Sequence, residues 1–171
     1  AKKYVHIMTP YLILDNEMLD TLTRAAKSGI EVCIIMPHIP DKWYAFAVAK
    51  TYYRELIEAG VQIYEFTPGF VHAKIFVSDN DTATVGTINL DYRSLYLHFE
   101  CGVFIYNNPV VRFSENSGKM PENFHSGLEK DQPAYGHLRK STPADCATNV
   151  KHYLNKKGQT PMQMELSFFV K

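Results

Sequence analysis

Residues 30–36, Ile-Glu-Val-Cys-Ile-Ile-Met, are apolar at every position but one. A strand with one wet face alternates polar and apolar residues, whereas a run like this fits a strand buried on both faces, as in parallel sheets covered by helices. The flanking sequence supplies the helices. Asp15 is placed to cap one, and Met18, Leu19, Leu22, Ala25 and Ala26 recur after it at helical spacing. Gly29 stands where a terminating glycine belongs. Asp41 is placed to cap a second helix that runs to Ala59 and closes at Gly60. Residues 3–9 and 61–66 read as further strands. The order strand, helix, strand, helix, strand predicts a layered α/β unit.

After residue 66 the pattern changes. Residues 70–78 and 82–86 read as two strands joined by the turn-forming trio Asp79-Asn80-Asp81, and residues 100–106 as another. The expectation is a mixed sheet, with parallel units first and a hairpin after them. Residues 112–171 differ in texture: eight Gly or Pro residues interrupt every periodic segment there. We read residues 1–111 as the folded catalytic unit and 112–171 as an atypical, loosely structured tail. Leu166-Ser167-Phe168-Phe169-Val170 is strand-like but has no evident partner.

Lysine plus arginine and aspartate plus glutamate are equal at 18 each. That balance disfavours a bulk nucleic-acid binder, which carries a basic stripe, without excluding a locally positive cleft. No run approaches the ~20 apolar residues of a membrane-spanning helix, and no signal peptide is visible. The chain starts at Ala1, so we read it as cut from something longer. Cys33, Cys101 and Cys146 form no even framework and no C-x-x-C pair, which suits a reducing compartment. In the tail, His125, His137, His152 and Cys146 lack zinc-like spacing.

Chemistry concentrates in Phe70–Ser78. On a strand, Val71, Ala73, Ile75 and Val77 would face a core, while His72 and Lys74 would share the other face about 7 Å apart. An ammonium neutralises charge on phosphate oxygens, and an imidazole attacks phosphorus or moves a proton. Taken alone, the pair reads better as the wet face of an ordinary strand.

The following residues remove that ambiguity. His72-Ala73-Lys74, four residues, Asp79, six residues and then Gly86-Thr87-Ile88-Asn89 form H-x-K-x4-D-x6-G-[ST]-x-N. This pattern resembles the signature of the phospholipase D superfamily. The segments Thr9-Pro10-Tyr11, Met36 to Lys42, Tyr64 to His72 and Asn89 to Leu95 resemble the C-terminal half of bacterial cardiolipin synthases, and the likeness spans residues 1 to about 111.

The resemblance implies a phospholipase D-like α/β fold, a mixed β-sheet flanked by helices, forming one half of a pseudo-two-fold pair. It implies that His72 is the nucleophile or the acid/base histidine. Lys74 and Asn89 would bind phosphate oxygens, and Thr87 would line the phosphate pocket. Asp79 would pin the hairpin, and Glu100 would hydrogen-bond the histidine. The implied reaction is phosphatidyl transfer through a phosphohistidine intermediate, from phosphatidylglycerol to cardiolipin and glycerol, with no cofactor and no metal. The implied partners are the phospholipid, the membrane surface and a second motif-bearing half, from a missing N-terminal part or a homodimer; no nucleic acid is expected. The implied location is peripheral on the bacterial cell membrane. A single-motif homodimeric phosphodiesterase or nuclease, or an inactive truncated half, are the alternatives. The chain departs from the family pattern in carrying one motif instead of two and in its tail. Trp43, Tyr44, Phe46, Tyr52 and Tyr53 crowd the second helix; most read as its apolar face, with Trp43 and Tyr44 the better lipid contacts.

Overall fold

The computed structural model describes residues 1–67, 69–108 and 111, and the backbone of Phe124–Ser126. In chain order the elements are β1 (Tyr4–Met8), β2 (Leu12–Ile13), α1 (Asn16–Lys27), β3 (Glu31–Pro37), α2 (Trp43–Glu58), β4 (Gln62–Phe66), β5 (Ile75–Ser78) and β6 (Thr82–Gly86). They continue with β7 (Leu90–Asp91), a π-helical turn (Arg93–Leu97), β8 (Gly102–Tyr106) and β9 (Phe124–Ser126). Seven strands form one mixed sheet in the order β8-β6-β5-β1-β3-β4-β9, and β2 pairs with β7 beside it. The strands β1, β3 and β4 are parallel, while β5, β6, β8 and β9 join antiparallel.

The local signals act as read. Asp15 accepts the Met18 N–H at 2.7 Å and starts α1. Gly29 and Gly60 sit at φ +87° and +98°, the left-handed conformation that ends a helix at little steric cost to glycine. On one face of the sheet, Val32, Ile34 and Met36 pack with Ile7, Ile63, Leu22 of α1, and Ala49, Tyr53 and Leu56 of α2. On the other face, Cys33 and Ile35 pack with Tyr64, and beside them Ile75, Val77, Ala83 and Ile105 pack with Val111. Burying a large aliphatic side chain contributes about 1.5–3 kcal/mol, so β3, buried from Val32 to Pro37, anchors both layers. Glu65 of β4 is buried under α2, where it accepts from Lys50 and pairs with His38 Nδ1 at 2.8 Å.

Two sequence expectations change. The strand expected over residues 70–78 begins only at Ile75. Its neighbours decide this: β1 ends at Met8, opposite Ile75, and the Gly86 N–H to Lys74 carbonyl bond at 3.2 Å is the last rung to β6. His72 and Lys74 therefore lie beyond the ladder. Asp41 does not cap α2 either. Lys42 holds the cap position with no side-chain bond, and the Asp41 carboxylate accepts from the Tyr11 hydroxyl at 2.6 Å. Of the segment 112–171, Phe124–Ser126 pairs with Phe66–Tyr64 of β4; its other residues, including Leu166–Val170, lie outside the described residues, as do the side chains of His125, His137, Cys146 and His152.

Candidate active site

The carboxyl ends of β1, β3 and β4, the start of β5, the end of β6 and the start of β8 all lie at one end of the sheet. The loops there carry Tyr11, Asp41, His72, Lys74, Thr87, Asn89 and Glu100. Crevices outside the carboxyl ends of strands are where open α/β sheets place ligands.

His72 is exposed, and its ring lies 5.4 Å from that of Phe70. Lys74 is the opposite, only 8% exposed. Its ammonium donates to the His72 carbonyl at 2.8 Å, which ties the charge to the histidine's own backbone. Burial pulls the Lys74 pKa below the ordinary lysine value, and the charges of Glu100, Asp41 and Asp91 oppose that pull. Burial, then the bond to Asp41, pushes the Tyr11 hydroxyl up to about 12.

Gly86 has a steric reason. A Cβ there would lie 2.3 Å from the Cys101 carbonyl oxygen and 2.6 Å from the Gly102 Cα, so only glycine lets the β6 end approach β8 so closely. That approach docks the next residue. The Thr87 N–H donates to the Cys101 carbonyl at 2.9 Å, and its hydroxyl accepts the Cys101 N–H at 3.0 Å while donating to the Glu100 carboxylate. Both Thr87 donors are therefore engaged within the protein.

Asn89 donates Nδ2 to the Ser94 hydroxyl at 3.2 Å, and its Oδ1 is buried with no partner. A half-turn of the amide exchanges the two atoms and sends the NH2 donor into that open position. Asp91 is buried and accepts the Ser94 N–H at 2.6 Å, which fixes the π-helical turn.

The structure places Asp79 away from the other predicted residues and leaves Glu100 without the expected bond to His72. Asp79 lies at the far end of β5, about 16 Å along the strand from Lys74. Its carboxylate accepts the N–H groups of Lys2, Lys3 and Tyr4 at 2.6, 2.8 and 3.0 Å. Glu100 makes no hydrogen bond to His72 among the described residues; besides Thr87, it faces His98 Nδ1 at 4.0 Å. The other nitrogen of His98 accepts from Arg93 Nε at 2.7 Å, which leaves the proton on Nδ1, toward Glu100. Sequence reasoning missed Tyr11, Asp41, Asp91 and His98 as members of this site. For Tyr11 and Asp41 the available signal was their position just past the carboxyl ends of β1 and β3. Among the described residues no group of three or more His, Cys, Asp or Glu is placed to hold a metal ion.

This mixed sheet flanked by helices is a phospholipase D-like fold. The fold is similar to that of Nuc, a phospholipase D family member from Salmonella typhimurium, with a TM-score of 0.53, 24% identity, and coverage of 64% of this chain and 70% of that one. Residues 1–119 match the cardiolipin synthase, PLD-like domain, and the chain belongs to that family. It is 40% identical over 141 residues to cardiolipin synthase 2 of Bacillus cereus, covering 82% of this chain and 26% of that protein. It is 47% identical over 111 residues to the cardiolipin synthase of Halalkalibacterium halodurans, covering 65% of this chain and 22% of that protein. The chain thus spans about a quarter of the length of these relatives.

Proposed function

We propose that this chain supplies one half of a phosphatidyltransferase site that converts phosphatidylglycerol to cardiolipin and glycerol through a phosphohistidine. The observation that carries the reading is the exposed His72 imidazole bonded through its own carbonyl to the buried Lys74 ammonium. In this reading, an imidazole nitrogen from one half attacks phosphorus and the P–O bond to glycerol breaks. The histidine of the other half protonates the leaving oxygen. The hydroxyl of a second phosphatidylglycerol gives its proton back to that histidine and attacks phosphorus; the P–N bond breaks and the imidazole is restored. Lys74, with Asn89 after its amide turns, would stabilise the charge that builds on the non-bridging oxygens. Thr87 would hold Glu100 in place beside Lys74, and Asp79 would hold the hairpin. The second half would come from another part of a longer protein or from a second copy, working at the surface of the bacterial membrane. The described helices include none long and apolar enough to cross a bilayer.

The test uses a complete enzyme holding both halves, given phosphatidylglycerol labelled at phosphorus and quenched in alkali, which preserves phosphohistidine. His72→Ala should abolish turnover. Lys74→Ala should lower kcat by about 10²–10³-fold, the loss typical of a preorganised oxyanion donor. Near-normal turnover by His72→Ala would overturn the assignment.

A further inference from the structure

The outward stripe of α2 has no partner among the described residues. Trp43, Tyr44, Ala47, Val48 and Thr51 are all exposed and follow one another at i, i+1, i+4, i+5 and i+8, a single helical face. Trp43 is 78% exposed, Tyr44 56%, and Ile39 in the preceding loop 56%. The stripe carries no charge. Beside it, the Lys50 ammonium is committed to Glu65, and farther along, Arg54 and Glu58 pair with each other at 2.9 Å.

The amino end of the same helix is electropositive. Lys42 holds the cap position, no side chain caps the free N–H groups, and the first turn has no acidic residue. The one nearby carboxylate, Asp41, is bound to Tyr11. The Lys42 ammonium itself lies 5.5 Å over the Tyr11 ring, at the edge of the stripe. An anion therefore meets both a lysine and unsatisfied helix N–H groups within one turn of exposed Trp and Tyr. Aromatic rings next to cations suit the headgroup layer of an anionic bilayer, where the rings sit at the interface and the charges meet phosphate.

We infer that the Ile39–Thr51 face of α2 is a docking surface for an anionic phospholipid bilayer. Its position gives it a use, which rests on the phosphatidyltransferase reading. The helix α2 begins at Trp43, just past the carboxyl end of β3 at Pro37, so a bilayer met by Trp43 lies beside the reacting end of the sheet. A lipid phosphodiester then reaches His72 with its acyl chains still in the bilayer.

Trp43 is the one tryptophan in the sequence, so its fluorescence reports this face alone. The full chain is titrated with vesicles of phosphatidylglycerol and phosphatidylcholine, and with phosphatidylcholine alone. The expected result is a shift of emission to shorter wavelength on the phosphatidylglycerol vesicles, quenching by lipids brominated near the headgroup, and weakening of both by salt. Trp43→Ala with Tyr44→Ala should lower sedimentation with these vesicles at least about tenfold, with an unchanged circular dichroism spectrum. Lys42→Glu should remove the preference for phosphatidylglycerol.

The His72→Ala variant should bind as the native chain does, because docking needs no chemistry. Absence of phosphohistidine in the complete enzyme holding both halves with native His72, alongside intact quenching, would sink the enzymatic reading and leave the docking surface standing. Turnover of detergent-dispersed phosphatidylglycerol without quenching on vesicles would do the reverse. Equal binding to both vesicle types would overturn the inference, and so would an emission shift that grows with protein concentration in the absence of lipid, which would assign the face to a second copy.

Discussion

At the scale of single residues, two positions carry most of the site's shape and charge. Gly86 is required by approach, since its φ is ordinary but any Cβ meets β8 backbone. Gly86→Ala should destabilise the protein by about 1–3 kcal/mol, the usual cost of overpacking, read from the urea midpoint. It should also move Thr87 and with it Glu100, so transfer activity should fall further than the loss of folded protein explains. Lys74 is the charge. Its pKa is lowered by burial, so its protonated form is lost as pH rises through a value below the ordinary one. The alkaline limb of the pH–rate profile should therefore fall below the ordinary lysine range near ~10.4. Lys74→Arg, which cannot be deprotonated in that range, should move the limb upward in whatever activity it retains.

At the scale of elements, the β5–β6 hairpin shows how a motif residue acts at a distance. Asp79 and Asn80 both take positive φ, 54° and 60°, and Asp81 N–H donates to the Ser78 carbonyl at 3.2 Å, a type I′ turn matched to strand twist. The turn then grips β1, through Asp79 on three N–H groups and through the Tyr4 hydroxyl on Asn80 at 2.7 Å. Burial would raise the Asp79 pKa, but the bonds from Tyr4, Lys3 and Lys2 outweigh it and the net shift is downward. A depressed carboxylate contributes stability above its unfolded pKa near ~3.9 and loses it as pH falls through the folded value. Asp79→Asn should cost about 1 kcal/mol at neutral pH, given the exposure of the site. The gap to the native chain should close below roughly pH 4, followed by chemical denaturation across pH.

At the scale of the whole molecule, in-line displacement at phosphorus needs a nucleophile on one side and an acid on the other. His72 supplies one of these. Two other described histidines of this end are engaged within the same half, His98 by Arg93 and His38 by Glu65 at 2.8 Å. At this end of the sheet, Phe70 beside His72 and Tyr92, Tyr96, Leu97 and Phe99 between β7 and β8 are exposed apolar side chains of the kind that mark an interface. We predict that the isolated monomer does not turn over and that two copies are needed, related by a two-fold axis. When dimers are scarce, the rate should rise with the square of chain concentration, and Phe99→Asp should steepen the requirement. Constant specific activity across a dilution series in which sedimentation shows only monomer would exclude this.

The parallel core, both helix ends, the hairpin turn and the spacing of His72, Lys74, Asp79, Thr87 and Asn89 were legible in the sequence, because each depends on neighbours within a few residues. Apolar runs need burial, Gly29 and Gly60 tolerate positive φ, and Asp15 reaches its own helix. Where β5 begins was not legible. Val71 and Ala73 continue its alternation, but the ladder stops where β1 and β6 stop, and that is set by chain turns at Thr9 and Gly86. Asp41 looks locally like a cap and is claimed by Tyr11, thirty residues away. The charges of Glu100, Asp41 and Asp91 act on Lys74 only because elements distant in sequence converge at one end of the sheet. Local conformational preference fixed the elements; competition among distant groups for the same donors and carboxylates decided how the charges of the site are arranged.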